Sequence, residues 1–195
     1  MTKLRELVEI RSGYTFREGI SHFSPGDVEV FQSGDLNDDI DFSNRPHISF
    51  QGNPSHLLRE GDILVSARGL LKAYIYHSDQ PAVASSSVLV LRTNQSRVIP
   101  EYITAFFNST VGIKSYLRLS TSNAFSTITK ANLGEIDIPD IPLSDQKALG
   151  KLINAIDTTQ RRLEEKQIYL NHIRTAAINK VLKEYVWPNK LPKTS

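Results

Sequence analysis

Ile136-Asp137-Ile138-Pro139-Asp140-Ile141-Pro142 leads directly into one long amphipathic pattern, which extends from Ser144 to about Val186. The Ser144 side chain can accept a hydrogen bond in the first turn of a helix, and Asp145 favours the positive end of the helix dipole. No proline interrupts the pattern before Pro188. Roughly 40 residues at ~1.5 Å each predict a helix of about 60 Å, which is longer than a compact domain requires.

Apolar residues recur every seventh position along this helix, as is typical of a coiled coil. One column is strongly apolar, whereas its companion column is interrupted by Thr159, Lys166 and Lys180. A helix folded back on its own domain could show a similar stripe, but a pattern beyond about 25 residues favours a coiled coil. We therefore predict a helix that binds another polypeptide. The predicted contact residues are Leu149, Leu152, Ile156, Leu163, Leu170, Ile173 and Ala177.

The 195 residues suffice for one domain and this helix. We predict a domain over residues 1–143, the helix over 144–186 and a flexible tail over 187–195. No apolar run is long enough to span a bilayer, and the charged first ten residues lack a signal-peptide core. These features predict a cytoplasmic chain without membrane contact. The absence of cysteine excludes disulfides and thiolate metal sites.

Charge is distributed unevenly between the two parts of the chain. Residues 1–143 contain 13 Lys and Arg against 16 Asp and Glu, whereas residues 144–195 contain 10 against 5. A basic helix can follow the phosphates of DNA or simply solvate itself, and both interpretations remain open.

Short runs rich in β-branched and aromatic residues predict strands in the domain. These runs are Val28–Phe31, Asp62–Ser66, Ala73–Tyr76 and Ser87–Leu91, and we expect them in one sheet. Helices are predicted from Pro100 to about Asn108 and from Val111 to Leu119, followed by a polar loop over residues 120–127. The predicted class is α+β: a mixed β-sheet domain with flanking helices, followed by one long C-terminal coiled-coil helix.

The motifs of common enzymes and metal sites are missing. No phosphate-binding glycine loop occurs, and the segment 53–56 (Asn-Pro-Ser-His) lacks the second proline and the aromatic residue of a methyltransferase tetrapeptide, so it predicts a turn. The aspartates at 35, 38, 39 and 41 lack the glycine and glutamate of a calcium loop, which favours a solvated acidic loop. His47, His56 and His77 have no short ligand spacing. We predict neither a catalytic residue nor a metal site.

Polar and cationic residues on predicted loops are the candidate functional side chains. Arginine pairs with guanine, asparagine pairs with adenine, and hydroxyl groups contact bases or phosphates. Each residue taken alone is more often an ordinary surface residue, and only their joint presence on turns of one sheet suggests a binding site. The candidates for DNA binding are Arg68, Lys72, Ser85, Ser86, Arg118, Thr121, Ser122, Asn123, Ser126, Thr127 and Lys130.

Several segments taken together resemble the specificity (S) subunits of type I restriction-modification systems. The resemblance follows the order and spacing of these segments over almost the whole chain, and its best part is the junction into the long helix. The segments are Leu4–Thr15, Gln32–Leu36, Leu58–Gly69, Asn132–Pro139 and Pro142–Gln146. The usual Pro-Pro-Leu-x-Glu-Gln of the family appears here as Ile141-Pro142-Leu143-Ser144-Asp145-Gln146.

The resemblance implies a non-catalytic DNA-recognition subunit of a multisubunit methyltransferase and endonuclease. Such subunits read DNA with target recognition domains and bind methyltransferase (M) subunits through long helices, while restriction (R) subunits join the assembly. S-adenosylmethionine and ATP with magnesium would then belong to the partner subunits, with no cofactor in this chain. One domain and one helix suggest half of such a subunit, which would pair with a second copy of itself to read a split double-stranded target.

Two other hypotheses remain open at the level of sequence. The first is a coiled-coil interaction protein that regulates a restriction complex without binding DNA. The second is a stand-alone enzyme, which the missing motifs disfavour.

Overall fold

The computed structural model describes residues 1–17, 20, 26–36, 45–120 and 127–186, with side chains described as far as residue 183. The chain divides into two compact units: the first unit is Met1–Gly150 and the second is Lys151–Ser195. The strands are β1 Thr2–Lys3, β2 Val8–Ser12, β3 Val28–Phe31, β4 His47–Ile48, β5 Ile63–Ser66, β6 Ala73–Ile75, β7 Ala82–Ala84, β8 Val88–Thr93 and β9 Asp137–Ile138. The α-helices are α1 Leu4–Leu7, α2 Pro100–Asn108, α3 Thr110–Leu119, α4 Lys130–Gly134 and α5 Leu143–Val186.

A four-stranded antiparallel sheet in the order β2-β8-β5-β6 forms the centre of the first unit. Successive residues of a strand point to opposite faces, so a strand that is apolar throughout is buried on both sides. Strand β5 illustrates this arrangement: Ile63 and Val65 pack in the larger core cluster, whereas Leu64 packs in a second cluster. Both faces of this strand are therefore covered by other elements.

Helices cover one face of this sheet. The larger core cluster contains Ile103 and Phe107 of α2, Tyr116 of α3 and Leu133 of α4, together with inward residues of β2, β5 and β8. Pro100 occupies the first turn of α2, and the Ser109 hydroxyl caps α3 by accepting from the Gly112 N–H at 3.2 Å. The predicted helices and the predicted α+β class are thus confirmed.

A separate three-stranded sheet in the order β4-β3-β7 contains Val28–Phe31. The prediction of one sheet was wrong for this strand, which pairs in parallel with β7 and antiparallel with β4. Strand β7, Ala82–Ala84, is short and buried throughout, so its sequence shows no alternation that would have predicted it. Phe31 and Ala84 of this sheet pack against Leu64 of the four-stranded sheet.

The long helix α5 begins at Leu143, and its first turns belong to the first unit. The Gln146 side chain is buried there: its oxygen accepts from the Ile99 N–H at 3.1 Å, and its nitrogen donates to the carbonyls of Arg97 and Ile141. A Cβ at Gly150 would lie 3.0 Å from the Glu101 side chain. Because glycine has no Cβ, α5 can lie this close to Glu101 of α2. The Pro-Leu-x-x-Gln motif therefore fixes the start of the helix.

From residue 151 onward α5 forms the described part of the second unit. Its side chains are exposed at nearly every position as far as residue 183. The tail predicted over residues 187–195 lies outside the described residues. Over the part of the chain that the structure describes, no helix combines the length and the apolar character needed to cross a membrane.

Candidate nucleic-acid interface

One end of the four-stranded sheet brings several loops together around the backbone of Ala67. The Ala67 N–H donates to the Ser87 carbonyl at 2.9 Å, and the Ala67 carbonyl accepts from the Ile128 N–H at 3.0 Å. The adjacent Arg68 forms an antiparallel β-bridge with Thr127. We call this surface, formed by residues 66–72, 84–88 and 127–130, the loop end of the sheet.

The segment Ser33–Leu36 joins the loop end through Ser87. The Ser33 N–H donates to the Ser87 hydroxyl oxygen at 3.0 Å, and that hydroxyl also lies 2.8 Å from the Ser85 hydroxyl. The Asp35 carboxylate accepts from the Gln32 N–H at 2.7 Å, and Leu36 is buried. The carboxylate of Asp35 therefore stabilises its own turn, while Asp38, Asp39 and Asp41 lie outside the described residues.

The turn between β5 and β6 is held by one buried hydroxyl. Ser66 is 1% exposed, and its Oγ donates to the Leu70 carbonyl at 2.6 Å while accepting from the Lys72 N–H at 2.9 Å. Gly69 has a φ of +79°, a left-handed conformation that glycine adopts without strain. Leu71 is buried in the larger core cluster. The turn therefore has one defined conformation, anchored on both sides of its tip.

The structure brings most of the described candidate residues to this surface. Arg68, Ser86 and Lys130 are exposed there, and Lys72 and Thr127 are half-buried. Arg118 is exposed on the last turn of α3, where the neighbouring Leu119 carbonyl accepts from the Asn132 side chain of α4 at 3.0 Å. The β-bridge from Arg68 to Thr127 joins segments far apart in sequence, whereas α3 and α4 are consecutive helices.

Ser85 is the exception among the described candidates. It is only 6% exposed, and its hydroxyl is bonded to that of Ser87. Ser85 therefore supports the turn and does not present its side chain to a ligand. Thr121, Ser122, Asn123 and Ser126 lie outside the described residues.

The opposite end of β5 has a different electrostatic character. Asp62 is buried and accepts two hydrogen bonds from Arg92, from Nε at 2.8 Å and from Nη2 at 2.7 Å, and a third from the Arg59 N–H at 2.9 Å. The hydrogen bond to Asp62 raises the pKa of the Arg92 guanidinium. This cation is thus neutralised within the domain, whereas Arg68 at the loop end is exposed.

Two features outside the loop end have structural roles. Asn53 Oδ1 accepts from the Ser55 N–H at 2.8 Å, which confirms that this segment is a turn. A cavity of about 300 Å³ borders Glu29 and Arg45, but these two side chains pair at 2.7 Å and the guanidinium lies 3.9 Å from the centroid of the Phe31 ring. Among the described residues, no three His, Asp or Glu side chains form a group that could hold a metal ion.

The predicted contact residues of α5 fall into two sets. Leu149 is half-buried and packs against the larger core cluster, so its own domain already covers part of it. The other six are exposed, and the five large ones have between 48% and 62% of their surface accessible. These six are Leu152, Ile156, Leu163, Leu170, Ile173 and Ala177.

Residues 1–171 match the family model of the type I restriction modification DNA specificity domain. The match covers most of the sequence, and the chain belongs to this family. No curated protein sequence matches the chain.

Solved structures share the fold at low sequence identity. One describes the complex assembly and conformational transition of the type I R-M system (18% identity, TM-score 0.66, covering 93% of this chain and 44% of that chain). A second is the S subunit of a type I system from M. genitalium, with 16% identity and a TM-score of 0.59, covering 96% of this chain and 46% of that chain. A third is the HsdS subunit from Thermoanaerobacter tengcongensis, with 19% identity and a TM-score of 0.61, covering 92% of this chain and 43% of that chain. The chain therefore spans less than half the length of each of these proteins.

Proposed function

We propose that this chain is a non-catalytic DNA-recognition subunit of a type I restriction-modification complex, in which the loop end of the sheet contacts the DNA target. The observation that carries the proposal is the convergence of Arg68, Ser86, Thr127 and Lys130 on one surface in a chain of the DNA specificity family. Cations and hydroxyl groups are the side chains that bind phosphates and base edges. Hydrogen bonds at Ala67 and Ser87 hold the loops of that surface together.

The second part of the proposal concerns the helix. The chain spans 43% to 46% of the length of the matched subunits, as half of such a subunit would. The exposed column of α5 would pair with a second copy of the chain and dock the M subunits, so that each domain reads one half of a split target. A partner is required because large apolar side chains along a helix gain stability only when another surface covers them.

Under this proposal, the partner subunits carry out both methylation and cleavage. The M subunits would supply methyl transfer from S-adenosylmethionine, and the R subunits would supply ATP- and magnesium-dependent cleavage. This chain would determine where on the double-stranded DNA both reactions occur.

Mapping of methylated bases tests the proposal. The chain would be combined with the M subunit encoded beside it, and modified positions would be identified by sequencing of genomic DNA. We expect methylation at a split target that is palindromic, because two identical domains related by twofold symmetry read identical half-sites. Two unrelated half-sites would contradict self-pairing, and an unmethylated genome would contradict the DNA-recognition role.

A matched pair of variants tests whether the loop end is the surface that contacts the DNA. Arg68→Ala removes an exposed cation beyond the end of β5, whereas Arg59→Ala removes an exposed cation before its beginning. The charge change is the same in both variants. We expect methylation by the complex to fall by more than tenfold with Arg68→Ala and to remain within twofold with Arg59→Ala. Equal effects of the two variants would exclude the loop end as the DNA-contacting surface.

A further inference from the structure

The tip of the β5–β6 turn presents one apolar side chain to solvent. Leu70 is 81% exposed, the highest value for a large apolar side chain among the described residues. A single exposed leucine is ordinary on a protein surface and needs no explanation by itself. Its setting is unusual, because Leu71 beside it is buried in the core and Arg68 two residues earlier is exposed.

The backbone at Leu70 is held in a defined position. Its carbonyl accepts from the Ser66 hydroxyl at 2.6 Å, and that hydroxyl is almost completely buried. The Ser66 N–H also donates to the Lys72 carbonyl at 3.0 Å, which closes the turn. A contact made by the Leu70 side chain would therefore require little ordering of the turn, and this preorganisation favours tight binding.

The chemistry around Leu70 selects the kind of partner. Arg68 and Lys130 are exposed cations on the same surface, and Ser86 adds an exposed hydroxyl. A partner that matches an apolar side chain on a surface with exposed cations carries negative charge as well as an apolar group. A DNA duplex fits this description: its major groove admits a two-stranded β-ribbon, and each thymine presents an apolar C5-methyl group between the phosphate backbones.

We propose that Leu70 is a specificity-determining residue that contacts the C5-methyl group of a thymine in the major groove of the target. This inference rests on the proposed function, because it assumes that the loop end faces DNA. Arg68 and Lys130, both on the loop end, would bind phosphates near the turn, and these contacts carry no sequence information. Leu70 would add discrimination in favour of thymine at one position of each half-site.

Replacement of thymine by deoxyuridine provides the test, because it removes only the methyl group. The complex of the chain with its M subunit would be titrated with duplexes containing the mapped target, in which each thymine in turn is replaced. At one position per half-site we expect the Kd of the unaltered complex to rise about fourfold, the effect of one buried methyl-sized group. With Leu70→Ala this replacement should have no effect. Val111→Ala, which shortens an exposed side chain on α3, should retain the full response.

The outcomes separate this inference from the function on which it rests. If the unaltered complex fails to bind DNA, both are overturned. If it binds but no thymine position responds, or if the response persists in Leu70→Ala, the role of Leu70 alone is overturned. A Leu70→Ala chain that binds DNA normally but loses affinity for the M subunit would assign Leu70 to a protein contact and would equally overturn the inference.

Discussion

The two units of this chain differ in the burial of their apolar side chains. In the first unit the four-stranded sheet is covered by helices on one face and by strands on the other, and strand β5 is buried at every position. The described part of α5 beyond Gly150 has exposed side chains at nearly every position. It carries 10 of the 15 large apolar side chains that are exposed in the described residues. The first unit therefore buries most of its apolar side chains by itself, whereas the proposed pairing would bury those of the helix against a partner.

The largest expected effect follows from placing charge on the exposed column of the helix. Replacement of both Leu163 and Leu170 by Asp should abolish self-association, because each dimer would bury uncompensated carboxylates. Light scattering at micromolar concentration should then give the mass of a monomer, while the unaltered chain gives about twice that mass. The thermal unfolding of the first unit should not change.

Ile168 and Tyr169 provide the control for this variant. Both are exposed on α5 but lie outside the predicted contact column. Their joint replacement by Asp introduces the same charge and should preserve the dimer. If both double variants lose the dimer, the pairing surface differs from the column proposed here.

A smaller effect is expected from breaking the buried ion pair of the first unit. Asp62→Asn removes the charge that holds two nitrogens of Arg92, and we expect a loss of about 2–4 kcal/mol in the free energy of unfolding. Urea denaturation followed by circular dichroism measures this change. Asp79→Asn, at an exposed position, should cost less than about 0.5 kcal/mol. A comparable loss in both variants would show that the ion pair contributes no special stability.

Gln146 lies in the part of α5 that belongs to the first unit. Gln146→Ala removes three hydrogen bonds to backbone groups of that unit, so we expect a loss of about 2 kcal/mol in its stability. Lys147→Ala changes the adjacent exposed residue and serves as the control. Unchanged stability in Gln146→Ala would mean that the helix start is held by other contacts.

A substitution at Tyr116 is expected to increase the stability of the first unit. The residue is fully buried, its hydroxyl has no hydrogen-bond partner among the described residues, and burial raises its pKa. Because Phe removes only the unsatisfied oxygen, Tyr116→Phe should stabilise the first unit by about 1 kcal/mol without altering self-association. A decrease in the midpoint of thermal unfolding would contradict the absence of a partner for this hydroxyl.

The elements with local signals were predictable from sequence. The start of α5 is encoded by the segment before it, and β5 and β8 are runs of β-branched and leucine residues. The parallel pairing of β3 with β7 was not predictable, because it joins distant segments and Ala82–Ala84 has neither length nor alternation.

Periodicity likewise does not identify which surface covers a helix. Leu149 and Ile156 are seven residues apart and occupy the same column of the heptad pattern. Leu149 nevertheless packs against the core of its own domain, whereas Ile156 is 54% exposed. The difference depends on where α5 leaves the first unit, and the spacing of apolar residues contains no information about that point.

The candidate site was predictable in its residue types but not in its arrangement. Arg68 and Thr127 are neighbours only because the chain forms a β-bridge between distant loops. Three consecutive serines at 85–87 look alike in sequence, yet only Ser86 is exposed, because Ser85 and Ser87 bond to each other. The exposure of Leu70 was equally hidden, since nothing local distinguishes it from the buried Leu71.

The salt dependence of binding tests most directly whether the loop end of the first unit binds the phosphates of DNA. The Kd of the complex with the M subunit would be measured for the mapped target between about 50 and 200 mM salt. The double variant Arg68→Ala, Lys130→Ala loses two phosphate contacts. The slope of the logarithm of the association constant against the logarithm of the salt concentration should therefore decrease in magnitude by about 2. The control variant Arg59→Ala should leave this slope unchanged. An unaltered slope in the double variant would contradict the account.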